Sequence, residues 1–190
     1  MNITSQIIAA GTGCTLLRAT TWLAPIQVAC DKHEINTPLR LAAFLATVGV
    51  ESGSLQWTAE IWGPTVAQKA YEPPSRKASE LGNTQTGDGS KFKGRGLIQV
   101  TGRRNYTLAT VGLDLDLLNH PELLEQPDHA AMSAAWYWSN RNLNAPADAG
   151  NFLGVSRAVN LGSAASTAMP NGWKERQALY LAAKKSMGIA

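Results

Sequence analysis

The chain has 190 residues, of which 44% are hydrophobic and 16% charged, with a formal net charge of +3 and a pI near 9.0. Length and balance are enough for one domain with a sizeable core, and they exclude a disordered or low-complexity chain. The mild positive charge favours acidic partners such as wall polymers or nucleic acid and selects neither.

Cys14 and Cys30 are the only cysteines and form no CxxC pair. They read as buried free thiols, with a single disulfide left open. His33, His120 and His129 are scattered without ligand spacing, so neither a metal nor another cofactor is expected. No stretch approaches the roughly 20 apolar residues of a bilayer span. The first basic residue is Arg18, and the apolar run Ile7-Ile8-Ala9-Ala10 is short and lacks a basic flank. The expectation is a chain made in the cytoplasm without a signal peptide, acting as a monomer and not inserting stably into membranes.

Residues 1–11 read as a weak helical lead. Thr15 to about Val28 reads as a helix with Leu16, Trp22, Leu23 and Ile26 on its apolar face. Residues 31–36 turn the chain. Thr37 then offers a cap and Pro38 a first helical residue, and Leu41, Phe44, Leu45 and Val48 recur at helical spacing. Ser52-Gly53-Ser54 stops that helix, which puts Glu51 near its C-terminus.

An anion there is disfavoured by roughly 0.3–1 kcal/mol, because the macrodipole is negative at that end. Stability alone would prefer Lys. The same field suits an acid that must keep a proton until it is needed. The plain alternative is a solvated, tolerated Glu51. Glu60 lies nine residues on, beyond the break, and by itself is an ordinary surface residue. Two carboxylates held apart by a fold are what acid/base cleavage of a sugar–sugar bond requires.

Trp62-Gly63-Pro64-Thr65 breaks the chain again. Residues 66–82 read as a short helix interrupted at Pro73-Pro74. Residues 82–96 form a Gly-rich loop without the order of a phosphate loop. Lys91, Lys93 and Arg95 alternate, so an extended segment would share them on one face. Leu97–Thr101 reads as a short strand or extended piece. His120-Pro121-Glu122 opens a short helix. Asp128 is expected to cap a helix that runs to about Ser139 and carries Met132, Ala135, Trp136 and Tyr137. Asn151–Asn160 is another helix. Asn171 or Gly172 begins the last one, with Trp173, Leu179 and Leu181 available to pack. The fold class is mainly α, a single domain over 1–190 with polar groups on irregular loops.

Arg95 is flanked by glycines, and its fork can pin a carboxylate or carbonyls, which favours a structural role. Trp57 and Trp62 flank Glu60; either could stack on a sugar face, although tryptophans are more often core. Trp22, Trp136, Trp138 and Trp173 are assigned to packing. The basic set Lys91, Lys93, Arg95, Arg103 and Arg104 lacks interleaved aromatics beyond Phe92 and Tyr106, so nucleic acid is not expected as a partner.

The motif G-R-G-L-I-Q-V-T-G-R-R-N-Y at Gly94–Tyr106 resembles the signature of family 19 glycoside hydrolases, the chitinases and the phage endolysins that share their fold. R-L-A-A-F-L-A-T-V-G-V-E-S-G resembles that family's catalytic-acid helix. L-G-N-T-Q-T-G-D-G-S-K-F resembles the loop before the signature in phage members. A-V-N-L-G and W-K-E-R-Q-A-L-Y resemble the closing segments. The resemblance spans about residues 15–186.

It implies a lysozyme-like, two-lobed helical fold with a substrate cleft. It also implies hydrolysis, with inversion, of β-1,4 links between N-acetylated sugars. Glu51 matches the general acid and Glu60 the carboxylate that activates water, with Thr101 helping to position that water. Gln99, Asn105 and Asn160 match sugar-binding positions, and Trp57 is added to them as a stacking candidate. Arg95 and Arg176 are supporting residues, Arg176 near the acid. The expected partner is the glycan strand of bacterial peptidoglycan, met after release from the cell, with chitin oligomers as the alternative. Val50 stands where the family usually has His, Leu161 follows Asn160 where it often has Gly, and Ala164 falls where plant members have Glu. Val50 and Ala164 keep open a glycan-binding module that retains the fold without catalysis.

Overall fold

A computed structural model describes residues 1–189. Among them the chain forms eleven α-helices, one 3-10 helix and no sheet. The helices are α1 (Ser5–Thr12), α2 (Leu16–Lys32), α3 (Pro38–Glu51), α4 (Val66–Lys69), α5 (Arg76–Leu81) and α6 (Asp88–Lys91). After these come α7 (Arg103–Leu113), the 3-10 turn Pro121–Glu125, α8 (Pro127–Asn140), α9 (Asn144–Asp148), α10 (Phe152–Leu161) and α11 (Trp173–Ser186). No described helix is long and apolar enough to cross a membrane.

α3 is the central helix. The Thr37 hydroxyl accepts from the Arg40 amide, Pro38 takes the first turn, and the helix ends at Glu51. Leu41 through Gly49 are all buried. α1, α10 and α11 pack around it. Its crossing with α1 depends on two glycines. A Cβ on Gly11 would sit 2.7 Å from Leu45 Cβ, and one on Gly49 would sit 2.7 Å from Thr12 Cα. Both are closer than side-chain contacts allow, so the backbones meet because these positions are bare.

The core has two parts. The larger gathers α1, α2, α3, α8, α10 and α11, with Phe44 edge-on to Trp138 at 5.6 Å. The smaller surrounds α7 and holds Phe92, Val100, Tyr106, Ala109, Leu117 and Leu124. These are the two lobes, and α8 faces both: Tyr137 packs on the larger and Trp136 on the smaller.

Several local expectations change. Leu97–Thr101 is a tight turn, and the only strand-like pairing near it is a set of isolated bridges from Arg95 to Ala59 and Val100. Lys91, Lys93 and Arg95 share no face, because Lys91 ends α6 while Arg95 turns inward and is buried. Asp128 lies in the first turn of α8 without capping it; Gln126 is the cap residue and Pro127 the first helical residue. α6, α7 and α9 have no counterpart in the sequence reading. Leu16 and Leu181, expected to pack, are 51% and 54% exposed. Each stands on the outer face of a helix whose other face already fills the core.

Candidate functional site

Glu51 is the last residue of α3, and the α11 side chain of Arg176 reaches it. Arg176 Nη2 donates to Glu51 Oε1 at 2.5 Å, and Nε donates to the Asn171 carbonyl at 3.0 Å. Arg176 is buried and its Nη1 has no hydrogen-bond partner. Two fields therefore meet at Glu51: the helix end repels negative charge and the guanidinium attracts it. Asn160 belongs to this cluster, accepting from the Asn171 amide at 2.8 Å. Its side chain thus braces the turn into α11.

Glu60 sits on the irregular segment between α3 and α4. Gln68 Nε2 donates to its Oε1 at 2.9 Å and the Gly94 amide to its Oε2 at 3.1 Å. Its own amide donates to the Gly94 carbonyl at 2.8 Å. Gln68 is buried and has no spare valence. Its Oε1 accepts from Gly63 and Thr65, and its Nε2 also donates to the Ile61 carbonyl. Thr65 and Gln68 complete a capping box on α4. One side chain thus starts a helix, closes the loop and holds the carboxylate. The Tyr71 phenol is pushed above its usual range, first by burial and then by the charge and hydrogen bond of Glu60.

Gly94 opens the signature turn. Positive φ at Gln99 (56°) and Gly96 (79°) folds it back on itself. Arg95 is its buried anchor, donating to Glu125 at 2.7 Å, to the Lys91 carbonyl at 2.8 Å and to the Tyr106 hydroxyl at 3.0 Å. Burial pushes the Tyr106 phenol up to about 12, with Arg95 pulling the other way. Outside the turn, Asp88 accepts from the amides of Thr84 and Gln85 and from Arg103, which gathers the Gly-rich loop around one carboxylate.

A cleft of about 370 Å³ lies between the lobes. Gln99 and Thr101 come to it from the signature turn, Asn105 and Leu108 from α7, Trp136, Tyr137 and Asn140 from α8, and Arg141 from just after α8. The Thr101 hydroxyl donates to the Gln99 carbonyl at 2.8 Å, and Asn105 donates to the Thr101 carbonyl at 2.8 Å. Neither Glu51 nor Glu60 forms part of this wall. Both border it through neighbours: Glu60 is bonded to Gly94 at the base of the turn. The charge of Glu51 reaches Tyr137, whose phenol is raised by burial first and then by Glu51 against an opposing pull from Arg141.

The structure thus brings Gln99, Thr101 and Asn105 together in one wall. Glu51 is grouped with Arg176 and, through Asn171, with Asn160; Glu60 is grouped with Gln68 and Gly94. Trp57 stays apart. It is 47% exposed on the turn after α3, beside Gly53, and outside the cleft wall. Sequence reasoning missed Gln68, Tyr71, Tyr137 and Arg141. Only Gln68 carried a local signal, the Thr-x-x-Gln of its capping box. Among the described residues no group of three or more His, Cys, Asp or Glu side chains is gathered as a metal site would require.

The family model described as chitinase class I, of glycoside hydrolase family 19, matches residues 15–170. A family 19 domain-containing protein of Haemophilus influenzae is 33% identical over 181 residues, covering 83% of this chain and 84% of that one. Endochitinase 2 of Gossypium hirsutum is 33% identical over 104 residues, 52% of this chain and 34% of its own. The chain thus spans most of the bacterial relative and about a third of the cotton enzyme. Chitinase C of Streptomyces griseus HUT6037 superimposes with a TM-score of 0.70 at 20% identity, covering all of this chain and 77% of that structure. That last likeness is one of fold. The helices, the cleft between two lobes and the family match agree: the chain belongs to glycoside hydrolase family 19 and is a glycosidase.

Proposed function

We propose that this glycosidase cleaves β-1,4 links between the N-acetylated sugars of bacterial peptidoglycan. Glu51 protonates the leaving oxygen and Glu60 takes a proton from the attacking water, with inversion. The observation that carries these roles is the unequal tethering of the two carboxylates. Glu51 is held through Oε1 alone, by Arg176, and its Oε2 has no protein partner among the described residues. That oxygen is available to carry a proton to a substrate. Glu60 is held at both oxygens by donors that are themselves fixed. A carboxylate offers about four lone-pair sites, so a site remains for a water.

Thr101 complements Glu60. Its hydroxyl proton is committed to the Gln99 carbonyl, so toward a water it can only accept. A water between Thr101 and Glu60 gives up one hydrogen to each and turns a lone pair outward. An inverting pair leaves about 6.5–9.5 Å between its carboxyls for such a water. The net charge of +3 supports a wall polymer as substrate, because it draws the enzyme to anionic surfaces. The second reading is a chitinase. The endochitinases among the relatives favour it, and the same machinery serves either glycan.

The test is digestion of purified peptidoglycan and of chitin oligomers in ¹⁸O-water, read by mass spectrometry. The reading expects muropeptides with labelled reducing ends, and α-anomers first by NMR. Cleaved oligomers beside intact wall would leave the chitinase. Anhydro ends would replace hydrolysis by a transglycosylase route.

A further inference from the structure

The cleft contains one charged side chain, Arg141. Every other arginine donates to a carboxylate or a backbone carbonyl of the protein: Arg18, Arg40, Arg76, Arg95, Arg103, Arg104, Arg157 and Arg176 are all so engaged. Arg141 has neither kind of partner among the described residues. Its guanidinium instead lies over the Tyr137 ring, 4.3 Å from the centroid. Stacking on an aromatic face holds the plane of the fork while leaving it without a carboxylate or carbonyl partner. A cation placed only to complement the end of α8 would not need that pose.

A second hollow, of about 530 Å³, adjoins the first. Asn140 and Arg141 belong to both walls. The second runs on past Leu143 and Ala158 to Gly162 and Ala164. Arg141 therefore stands where the walls of the two hollows meet. Tyr137 beneath it is also the residue that the Glu51 charge reaches.

Neutral N-acetylated sugars need no cation. A strand that bears carboxylates at every second sugar can use one, and peptidoglycan is such a strand through its stem peptides or, where these are removed, through its lactyl groups. We propose that Arg141 is a specificity-determining residue that binds the carboxylate of a muramyl unit through its planar fork, and so selects carboxylate-bearing amino-sugar strands over neutral ones. The inference rests on the peptidoglycan reading for its natural ligand but not for its test. Two sources supply that chemistry: the lactyl carboxylate of a peptide-free muramic acid, and the carboxylates of a stem peptide.

The experiment measures affinity, so it does not depend on cleavage. Glu51→Gln protein, and the same protein with Arg141→Gln or Arg141→Lys, is titrated with three tetrasaccharides. One is neutral chitin tetramer, one a peptide-free alternating muramyl tetramer, and one the same tetramer with stem peptides. With Arg141 present, a carboxylate-bearing tetramer should bind about tenfold tighter than the neutral one, the scale of one charge-assisted hydrogen bond. Arg141→Gln should bring that ratio to about one, and Arg141→Lys should restore only part of it, since an ammonium keeps charge but not the fork. Preference for the peptide-free tetramer identifies the lactyl carboxylate, and preference for the peptide-bearing one alone identifies the stem. A ratio near one with Arg141 present, or a ratio that Arg141→Gln leaves intact, overturns the proposal. Failure of the wall reading is seen separately, as intact peptidoglycan in the digestion.

Discussion

Arg176 and Glu51, 125 residues apart in sequence, are joined at 2.5 Å, which ties α11 to the end of α3. The guanidinium serves Glu51 and the Asn171 carbonyl from one planar fork, and a lysine cannot reproduce that geometry. Arg176→Lys should therefore fold and lose at least about tenfold in kcat, the worth of one hydrogen bond to a charged group. Arg176→Ala should also lose about 2–4 kcal/mol of stability by leaving a partly buried carboxylate unpaired. Initial rates beside urea denaturation separate the two. Parental kcat in Arg176→Lys would detach Arg176 from the reaction.

Glu51→Gln keeps the shape and can still accept from Arg176, but it has no proton to give. General acid catalysis contributes about 10²–10⁴, so hydrolysis should fall at least a hundredfold. The melting temperature should stay within about 4 °C of the parent. Calorimetry and a reducing-end assay check both. Turnover within a few-fold of the parent would remove Glu51 from the mechanism.

Glu60→Gln should lower kcat about a hundredfold with KM within about threefold, since it removes the base and leaves the sugar contacts. Gln68→Leu should give a smaller defect, because Gly94 still holds one oxygen of Glu60. A raised KM with normal kcat in Glu60→Gln would reassign Glu60 to binding.

Thr101→Val removes one acceptor for the water and one bond to the Gln99 carbonyl. The expected loss is about fivefold in kcat, the worth of a single neutral hydrogen bond. Full activity in this variant would leave Thr101 a residue of the turn only.

Asp88 gives a prediction in pH. Burial by itself raises its carboxyl; Arg103 and the amides of Gln85 and Thr84 outweigh it and hold the carboxyl below the ordinary 3.8. A group depressed on folding stabilises above its unfolded value, and that stability is lost as pH falls through the folded value. Asp88→Asn should cost about 2–3 kcal/mol at pH 7, as a charged anchor with several donors. The gap to the parent should narrow below pH 3.8. Urea midpoints across pH test this. A gap constant down to acid pH would mean that the charge of Asp88 is not what holds the loop.

The chain itself carried whatever a few neighbouring residues decide. Thr37, Pro38 and the Ser52-Gly53 stop delimited α3, and so put Glu51 at its last residue, because caps and periodicity act within one or two turns. Asn151 marked α10 in the same way, by a side-chain cap. α7 escaped notice because its cap is Gly102, with no side-chain bond, and few of its residues are buried. The turn at Leu97–Thr101 read as extended because its apolar residues face two cores instead of one sheet. Glu60 held by Gln68 and Gly94, Glu51 by Arg176, and Arg141 left unpaired over Tyr137 were decided by the tertiary structure alone. Such partners meet through the packing of whole helices, and no local sequence pattern specifies which charge will be answered and which will be left facing the cleft.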